Sequence, residues 1–240
     1  MKPLSRKNYG SIPHLSSSKL GPGDFFIEKG QERILTEKAR DKHDLILAFE
    51  KYDGTNIGIA KHENKIFALT RSGYEAKTSP YIQHHFFSKW VYERESMFKS
   101  LLNNGERICG EWLIQAHGIQ YEIKSEPIVF FDFFTPENQR IIQSDLELIT
   151  IDYDLPLPRK IHKGDPISVN ELLPILNYKV PIQSIGIDSI EMPEGMVFRC
   201  ERKGKVDFLA KWVRKDFPVG RFIIDKEEHE LTWNQKPVQM

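Results

Sequence analysis

The sequence predicts an α+β fold of largely antiparallel strands with helices outside them, and three observations carry that prediction. Leu45-Ile46-Leu47-Ala48-Phe49 is an apolar run that reaches Lys51, an Asp53-Gly54 pair and a second run through Ile57 and Ile59. Asp-Gly between β-type segments is a strong hairpin signal, because glycine accepts positive φ at no steric cost. Further strand-type runs recur downstream, several of them closing on tight turns. Between them, residues 81–103 carry Phe86, Phe87, Trp90, Val91, Phe98 and Leu101 on one broad face, a helix that Asn103-Asn104-Gly105 would stop.

Taken in order, residues 1–24 show little regular pattern, and Gly21-Pro22-Gly23 marks a turn. They read as an arm across the domain or a flexible loop, with His14 a packing residue rather than a phosphate contact. Phe25–Glu28 is strand-like, and a charged connector follows to Asp44. Residues 1–44 are thus an arm and connector packed on a main domain of residues 45–240. Lys65–Gly73 is a strand that closes on a turn at Arg71. Arg107–Ile114 is a strand carrying Glu111 among apolar neighbours, and a half-buried carboxylate there needs a cation or a metal as partner. Ile128–Phe134 is an apolar strand interrupted by Asp132. Residues 136–165 are proline-rich and charged. Ser168-Val169-Asn170-Glu171 has the capping-box form and opens a short helix through Leu176. Pro193–Cys200 and Val206–Lys215 are strands joined by the charged turn Arg202–Lys205. Too few residues follow Phe217 for a further domain, which takes at least about 50, so no separate C-terminal domain is expected.

Composition narrows the classes. The 240 residues are 40% hydrophobic and 28% charged, ordinary for a soluble globular protein. No apolar run approaches the ~20 residues of a membrane span, and Met1–Lys7 lacks the apolar core of a signal peptide. Two distant cysteines, Cys109 and Cys200, suit free thiols in a reducing cytoplasm rather than a disulfide framework or metal cluster. A cytoplasmic protein of a bacterial or phage-infected cell is expected. The 34 basic side chains balance the 34 acidic ones, so any phosphate-binding surface must be local.

Lys51-x-Asp53-Gly54 alone would arise by chance in roughly one chain in twenty of this size. It is followed, in order, by Asn56, Arg71, Glu111, Phe131-Asp132, Glu194-Gly195-x-Val197 and Lys211. This order and spacing resemble the covalent nucleotidyltransferase superfamily of ATP-dependent ligases and capping enzymes, and Asn56 makes the first motif most like that of the RNA ligases. The resemblance runs from about residue 45 to 217. It implies an ATP-grasp-like nucleotidyltransferase domain of twisted antiparallel sheets, with the nucleotide cleft between them.

What the resemblance implies about chemistry is a lysyl-adenylate route. Lys51 attacks the α-phosphorus of ATP, AMP passes to an RNA 5′-phosphate, and a 3′-hydroxyl displaces AMP to seal the strand. Only about one lysine in a thousand is neutral near pH 7.4 at a pKa of ~10.4, a handicap of about 4 kcal/mol. Arg71, Lys211 and a Mg²⁺ or Mn²⁺ ion are the cations expected to lower that pKa. Carried over by motif, Arg71 orients phosphate or ribose, and Glu111 holds the ribose hydroxyls. Phe131 and Val197 sandwich the adenine. Glu194 is a metal or lysine-activating carboxylate, and Lys211 binds the α-phosphate. Glu50 and Asp53 touch adenine or structure the turn, Gly54 and Asn56 complete the motif, and Asp132 is structural.

Two departures qualify the match. The family's last motif often carries a second lysine one residue on, where this chain has Val213. Either Lys215, on the same face by strand alternation, replaces it, or one lysine suffices. Many relatives also append a C-terminal domain, so substrate positioning here would fall to a protein partner or to a short RNA. The readings are an ATP-dependent RNA ligase acting on 5′-phosphate and 3′-hydroxyl ends, a DNA or nick ligase by the same chemistry, or a non-catalytic nucleotide- or RNA-binding module.

Overall fold

A computed structural model describes residues 2–177 and 186–236 of the chain. In chain order the elements are α1 (Lys29–Thr36), β1 (Asp44–Lys51), β2 (Thr55–His62), β3 (Lys65–Thr70), α2 (Ile82–Glu93), α3 (Glu95–Leu101) and β4 (Arg107–Trp112). They continue with β5 (Tyr121–Ile123), β6 (Ile128–Phe134), α4 (Gln143–Ile151), β7 (Lys160–Gly164), α5 (Val169–Asn177), β8 (Ile187–Ser189), β9 (Gly195–Arg202) and β10 (Lys205–Val213). Two four-stranded sheets, ordered β10-β9-β1-β7 and β3-β2-β4-β6, are antiparallel throughout, and β5 pairs with β8 in a small third sheet.

Each large sheet is apolar on its back. Ile46 and Ala48 of β1, Met196 and Phe198 of β9 and Ala210 and Trp212 of β10 pack with Leu35 of α1 and Leu172 and Leu176 of α5. Behind the other sheet, Ile57, Ile59, Ile108, Phe130 and Phe133 pack with Phe87, Trp90 and Val91 of α2 and Phe98 of α3. Strand alternation then turns the intervening residues toward a cleft that both sheets line. β1 reads as a continuous apolar run because both of its faces are covered.

The Asp53-Gly54 turn does not close a hairpin. β1 pairs with β7 and β9, and β2 pairs with β3 and β4, so the turn carries the chain from one sheet to the other. Gly54 is required for a different reason from the one its sequence suggests. Its φ is not positive, but a Cβ there would collide with the Trp112 carbonyl and lie 2.8 Å from Leu113 Cδ2. Lys51 therefore stands where the two sheets part.

Other expectations also shift. The helix over 81–103 is two helices, broken at Arg94 (φ −114°, ψ 21°), whose guanidinium lies 4.6 Å from the Trp90 ring and 2.6 Å from Glu126 Oε1. Phe25–Glu28 is not a strand but a single bridge from Phe26 to His14. The charged connector holds α1, and the proline-rich stretch 136–165 holds α4 and β7. The capping box is formed, with Glu171 N donating to Ser168 Oγ at 3.3 Å and Ser168 N donating back to Glu171 Oε2 at 3.1 Å.

One buried network ties the sheets and the arm together. Asp132 of β6 is wholly buried and accepts hydrogen bonds from Arg199 Nη1 of β9 at 2.6 Å, Arg140 Nε at 2.8 Å and the Tyr9 hydroxyl at 2.5 Å. A bulge opposite Cys109 and Gly110 inserts Phe131 as an extra residue, so that Phe131 and Asp132 both serve the cleft side. Removing one partner of a buried ion pair leaves an uncompensated charge and costs about 3–5 kcal/mol. Asp132→Ala should lose about that much in urea unfolding, and a loss under 0.5 kcal/mol, the range of ordinary surface substitutions, would show that the sheets are joined by other contacts.

Candidate active site

Strand register brings the separated motifs together. Lys51 of β1 and Val213 of β10 both stand opposite Gly195 of β9, while Phe49 and Lys211 stand opposite Val197. Phe49, Lys51, Val197 and Lys211 thus share one face and line the cleft. A Cβ at Gly195 would collide with the Trp212 carbonyl, so glycine alone lets β10 close on the start of β9. From the other sheet, Asn56 of β2 stands opposite Glu111 of β4, which stands opposite Val129 of β6, and these three line the same cleft with Phe131.

The cleft has two compartments that meet at Tyr9, Lys51, Asn56, Arg71 and Glu111. One is lined by Phe49, Val129, Phe131, Val197 and Leu209, with Tyr9 and Ile12 of the arm. Phe131 and Val197 come to it from different sheets. The other is polar, lined by Lys7, Ser11, Thr55, Thr70, Ser72, His84 and His117.

Lys51 Nζ donates to Glu194 Oε2 at 2.6 Å, with 23% of the lysine side chain and 9% of the glutamate's exposed. Burial works against its charge, but the carboxylates of Glu194 and Glu111 outweigh burial and hold its pKa above the ordinary lysine value. This reverses the sequence expectation. Arg71 is exposed, its Nη2 3.2 Å from Ser11 Oγ, and Lys211 Nζ pairs with Asp24 Oδ1 at 3.3 Å, so carboxylates and not cations dominate around Lys51. Burial pushes Glu194 up to about 7 and Glu111 up to about 8, in each case against the pull of Lys51. Burial and the charge on Lys51 lower the pKa of Lys211.

The remaining candidates separate by role. Asp53 Oδ2 accepts from Gly118 N at 2.6 Å and Ile119 N at 3.3 Å, and Asp53 N donates to the Tyr121 hydroxyl at 2.8 Å, which structures the turn. Gly54 N lies 3.3 Å from Glu111 Oε1. Glu50 accepts from Arg159 Nε at 2.8 Å at the cleft wall. Lys215 is not on the Lys211 face: β10 ends at Val213, and Lys215 Nζ donates to Ser18 O of the arm at 2.9 Å. Val213 is buried against Tyr52 and Phe217. Among the described residues no group of three His, Cys, Asp or Glu forms a ready-made metal cluster, and no helix is long and apolar enough to cross a membrane.

Sequence reasoning missed the arm's share. Tyr9 and Ile12 wall the apolar compartment and Lys7 the polar one, yet residues 1–24 lack the periodicity that would have placed them. His84 lies on a helix read only as core, and His117 belongs to no motif. Burial lowers the pKa of both, that of His84 to about 4, so both rings stand neutral.

Solved structures share this architecture. An archaeal ATP-dependent RNA ligase (form 2) superposes with a TM-score of 0.55 at 18% identity, over 85% of this chain and 48% of that one. The Naegleria gruberi RNA ligase with PPi gives a TM-score of 0.53 at 13% identity, over 87% of this chain and 58% of that one. The fold is therefore that of the nucleotidyltransferase ligases, and the chain spans about half the length of these structures. No curated protein matches the sequence. The RNA ligase family model matches residues 44–213, and the chain belongs to that family.

A carboxyl whose folded pKa is raised binds its proton more tightly in the folded state. Stability referred to acid pH is therefore lost as pH rises from the unfolded value toward the folded one. For Glu111 that window runs from the ordinary 4.5 to about 8. Glu111→Gln removes this cost, so its melting temperature relative to the parent should climb across the window and level off above it. A difference that stays flat from pH 5 to 9, followed by calorimetry, would show that the buried carboxyl carries no such cost.

Proposed function

We propose that the chain is an ATP-dependent RNA ligase that works through a lysyl-adenylate on Lys51. The observation that carries this reading is the 2.6 Å contact of Lys51 Nζ with Glu194 at the junction of an apolar, aromatic-walled compartment and a polar one. A nucleoside in the first compartment, its base between Phe131 and Val197 and its ribose hydroxyls at Glu111, would set the α-phosphate against Lys51.

The attacking amine must shed a proton, and Glu194 is placed to take it. Transfer along the existing hydrogen bond converts the ion pair into neutral amine and neutral acid. A Glu194 pKa near 7 narrows the gap to the lysine far more than an ordinary carboxylate would. The amine nitrogen then bonds to the α-phosphorus, the bond to the bridging oxygen breaks, and pyrophosphate leaves. Lys211 faces the same cleft and neutralises charge on the non-bridging oxygens. An RNA 5′-phosphate oxygen next displaces lysine from phosphorus, and a 3′-hydroxyl displaces AMP. Lys7, Arg71, His84 and His117 of the polar compartment suit the incoming strand.

A divalent ion fits the carboxylate set. Mg²⁺ is usually bound through one or two carboxylates plus substrate phosphates and not by an all-protein cage; Glu194 would hold it here as the alternative to taking the lysine proton. When bound, it neutralises polyphosphate charge. A mutant of the Naegleria ligase is solved with ATP and Mn, which supports nucleotide and metal use by this fold.

Protein stripped of bound AMP with pyrophosphate, then incubated with α-labelled ATP and Mg²⁺ or Mn²⁺, should carry label through a denaturing gel. Lys51→Ala should carry none. Glu194→Ala and Lys211→Ala should label on the order of 100-fold more slowly. Addition of 5′-phosphorylated RNA should discharge the adduct into adenylylated and then joined RNA. Label from GTP alone would point to capping chemistry, discharge only by nicked DNA to DNA sealing, and no label in folded protein to a binding module.

A further inference from the structure

The arm does more than cover the cleft, because it closes on the strand that carries Lys211. Lys211 N donates to Pro13 O and Leu15 N to Lys211 O, both at 2.9 Å, so Pro13–Leu15 runs as an added strand beside β10. On its far side, His14 N donates to Phe25 O and Ile27 N to His14 O, both at 2.8 Å. This second pairing folds the arm back and delivers Asp24 to the Lys211 ammonium.

The His14 side chain is 2% exposed, with Nδ1 hydrogen-bonded and Nε2 within ion-pair distance of Asp24 but outside hydrogen-bond geometry. Nδ1 lies 2.7 Å from Ser18 Oγ, and Nε2 lies 3.0 Å from Asp24 Oδ2. A carboxylate only accepts, so the proton of the neutral ring belongs on Nε2, and Ser18 donates to Nδ1. Ser18 Oγ in turn accepts from Val213 N at 2.8 Å, which registers the chain of contacts on β10. Asp24 Oδ2 accepts from Gly21 N at 2.9 Å. With Oδ2 held by the Gly21 amide and faced by His14 Nε2, Oδ1 is aimed at Lys211 Nζ at 3.3 Å.

We infer that Asp24, oriented by His14, Ser18 and the Gly21 amide, is the positioning residue for Lys211. The inference rests on the reading of Lys211 as the α-phosphate contact. Lysine carries its charge on four flexible carbons, and nothing in a bare strand fixes where that charge points. Asp24 supplies one fixed anchor on the arm side and balances a cation that shares a cleft with Lys51. An incoming phosphate then meets an ammonium already on station. Asp24 touches no substrate atom in this arrangement and acts through Lys211.

The test is single-turnover lysyl-adenylate formation with α-labelled ATP in the full chain. Asp24→Asn keeps the shape but drops the charge, and should slow the saturated rate about 10- to 100-fold, the scale of a misplaced catalytic group. Half-saturation by ATP should change less, and Asp24→Glu should recover most of the rate. In a Lys211→Ala background Asp24→Asn should have almost no further effect, because the two act as one unit. Asp24→Asn at the parental rate, or an equal slowing in both backgrounds, would overturn the inference. If Asp24→Asn does not fold, His14→Gln, which can donate to Asp24, and His14→Phe, which cannot, make a second pair; equal rates for those two would likewise overturn it. Absence of any adduct in the parent protein would overturn the functional reading and this inference together. An adduct with indifferent Asp24 and His14 variants would overturn this inference alone.

Discussion

The Asp132–Arg199 ion pair is the constraint on which the site depends. It joins β6 of one sheet to β9 of the other at 2.6 Å, with neither side chain more than 3% exposed. Two sheets that only leaned together on apolar faces could slide, because burial is proportional to area and has no direction. A buried charge pair does have direction, and it fixes where β9 stands relative to β6. Val197 lies two residues before Arg199, and Phe131 immediately before Asp132. The same contact that fixes the sheets thus fixes two walls of the apolar compartment.

The pair is also where the arm is held. Tyr9 donates to Asp132, Arg140 lies 5.2 Å from the Tyr9 ring, and the backbone amides of Asn8 and Tyr9 both donate to Arg71 O. One end of the arm is anchored at the junction of the sheets, and the other at Lys211. Between these anchors it passes over the cleft and contributes Tyr9, Gly10 and Ile12 to its wall. A segment without helix or long strand is ordered here because its backbone groups find partners on both sheets.

Legibility from the sequence followed the physics of each signal. β1, β4, β6, β9 and β10 were readable because each is a short, largely apolar run bounded by turn residues, and most of the motif residues sit on or beside them. Residues whose signal is local, such as the Ser168 capping box, were read correctly in place. α1 and α4 were not, because they lie in segments whose charge or proline content hid short apolar faces. The bulge at Phe131 left no mark, since it is a property of pairing between strands and not of one strand. Lys215 was misplaced for a related reason. Alternation extrapolates a strand indefinitely, whereas β10 ends at Val213 and the chain turns toward the arm. The contacts of His14 and Asp24 depend on tertiary folding of a patternless arm, which no periodicity reports.

The charge arrangement of the site explains how two lysines share one confined cleft. Burial penalises the charged form of both lysines, and the charge on Lys51 adds to that penalty at Lys211. Each is balanced by its own carboxylate, Glu194 for Lys51 and Asp24 for Lys211. The two carboxylates differ. Asp24 is partly exposed and tied by a backbone amide, and its pKa lies below the ordinary value despite burial, so it stays an anion. Glu194 is buried among other carboxylates and is pushed up to about 7, so it can gain a proton near neutrality. Lys211 is thereby paired with a permanent anion, and Lys51 with a group able to take up a proton near neutrality. Two side chains of the same type thus stand in different electrostatic settings, the pKa of Lys51 held up and that of Lys211 brought down, by what each faces.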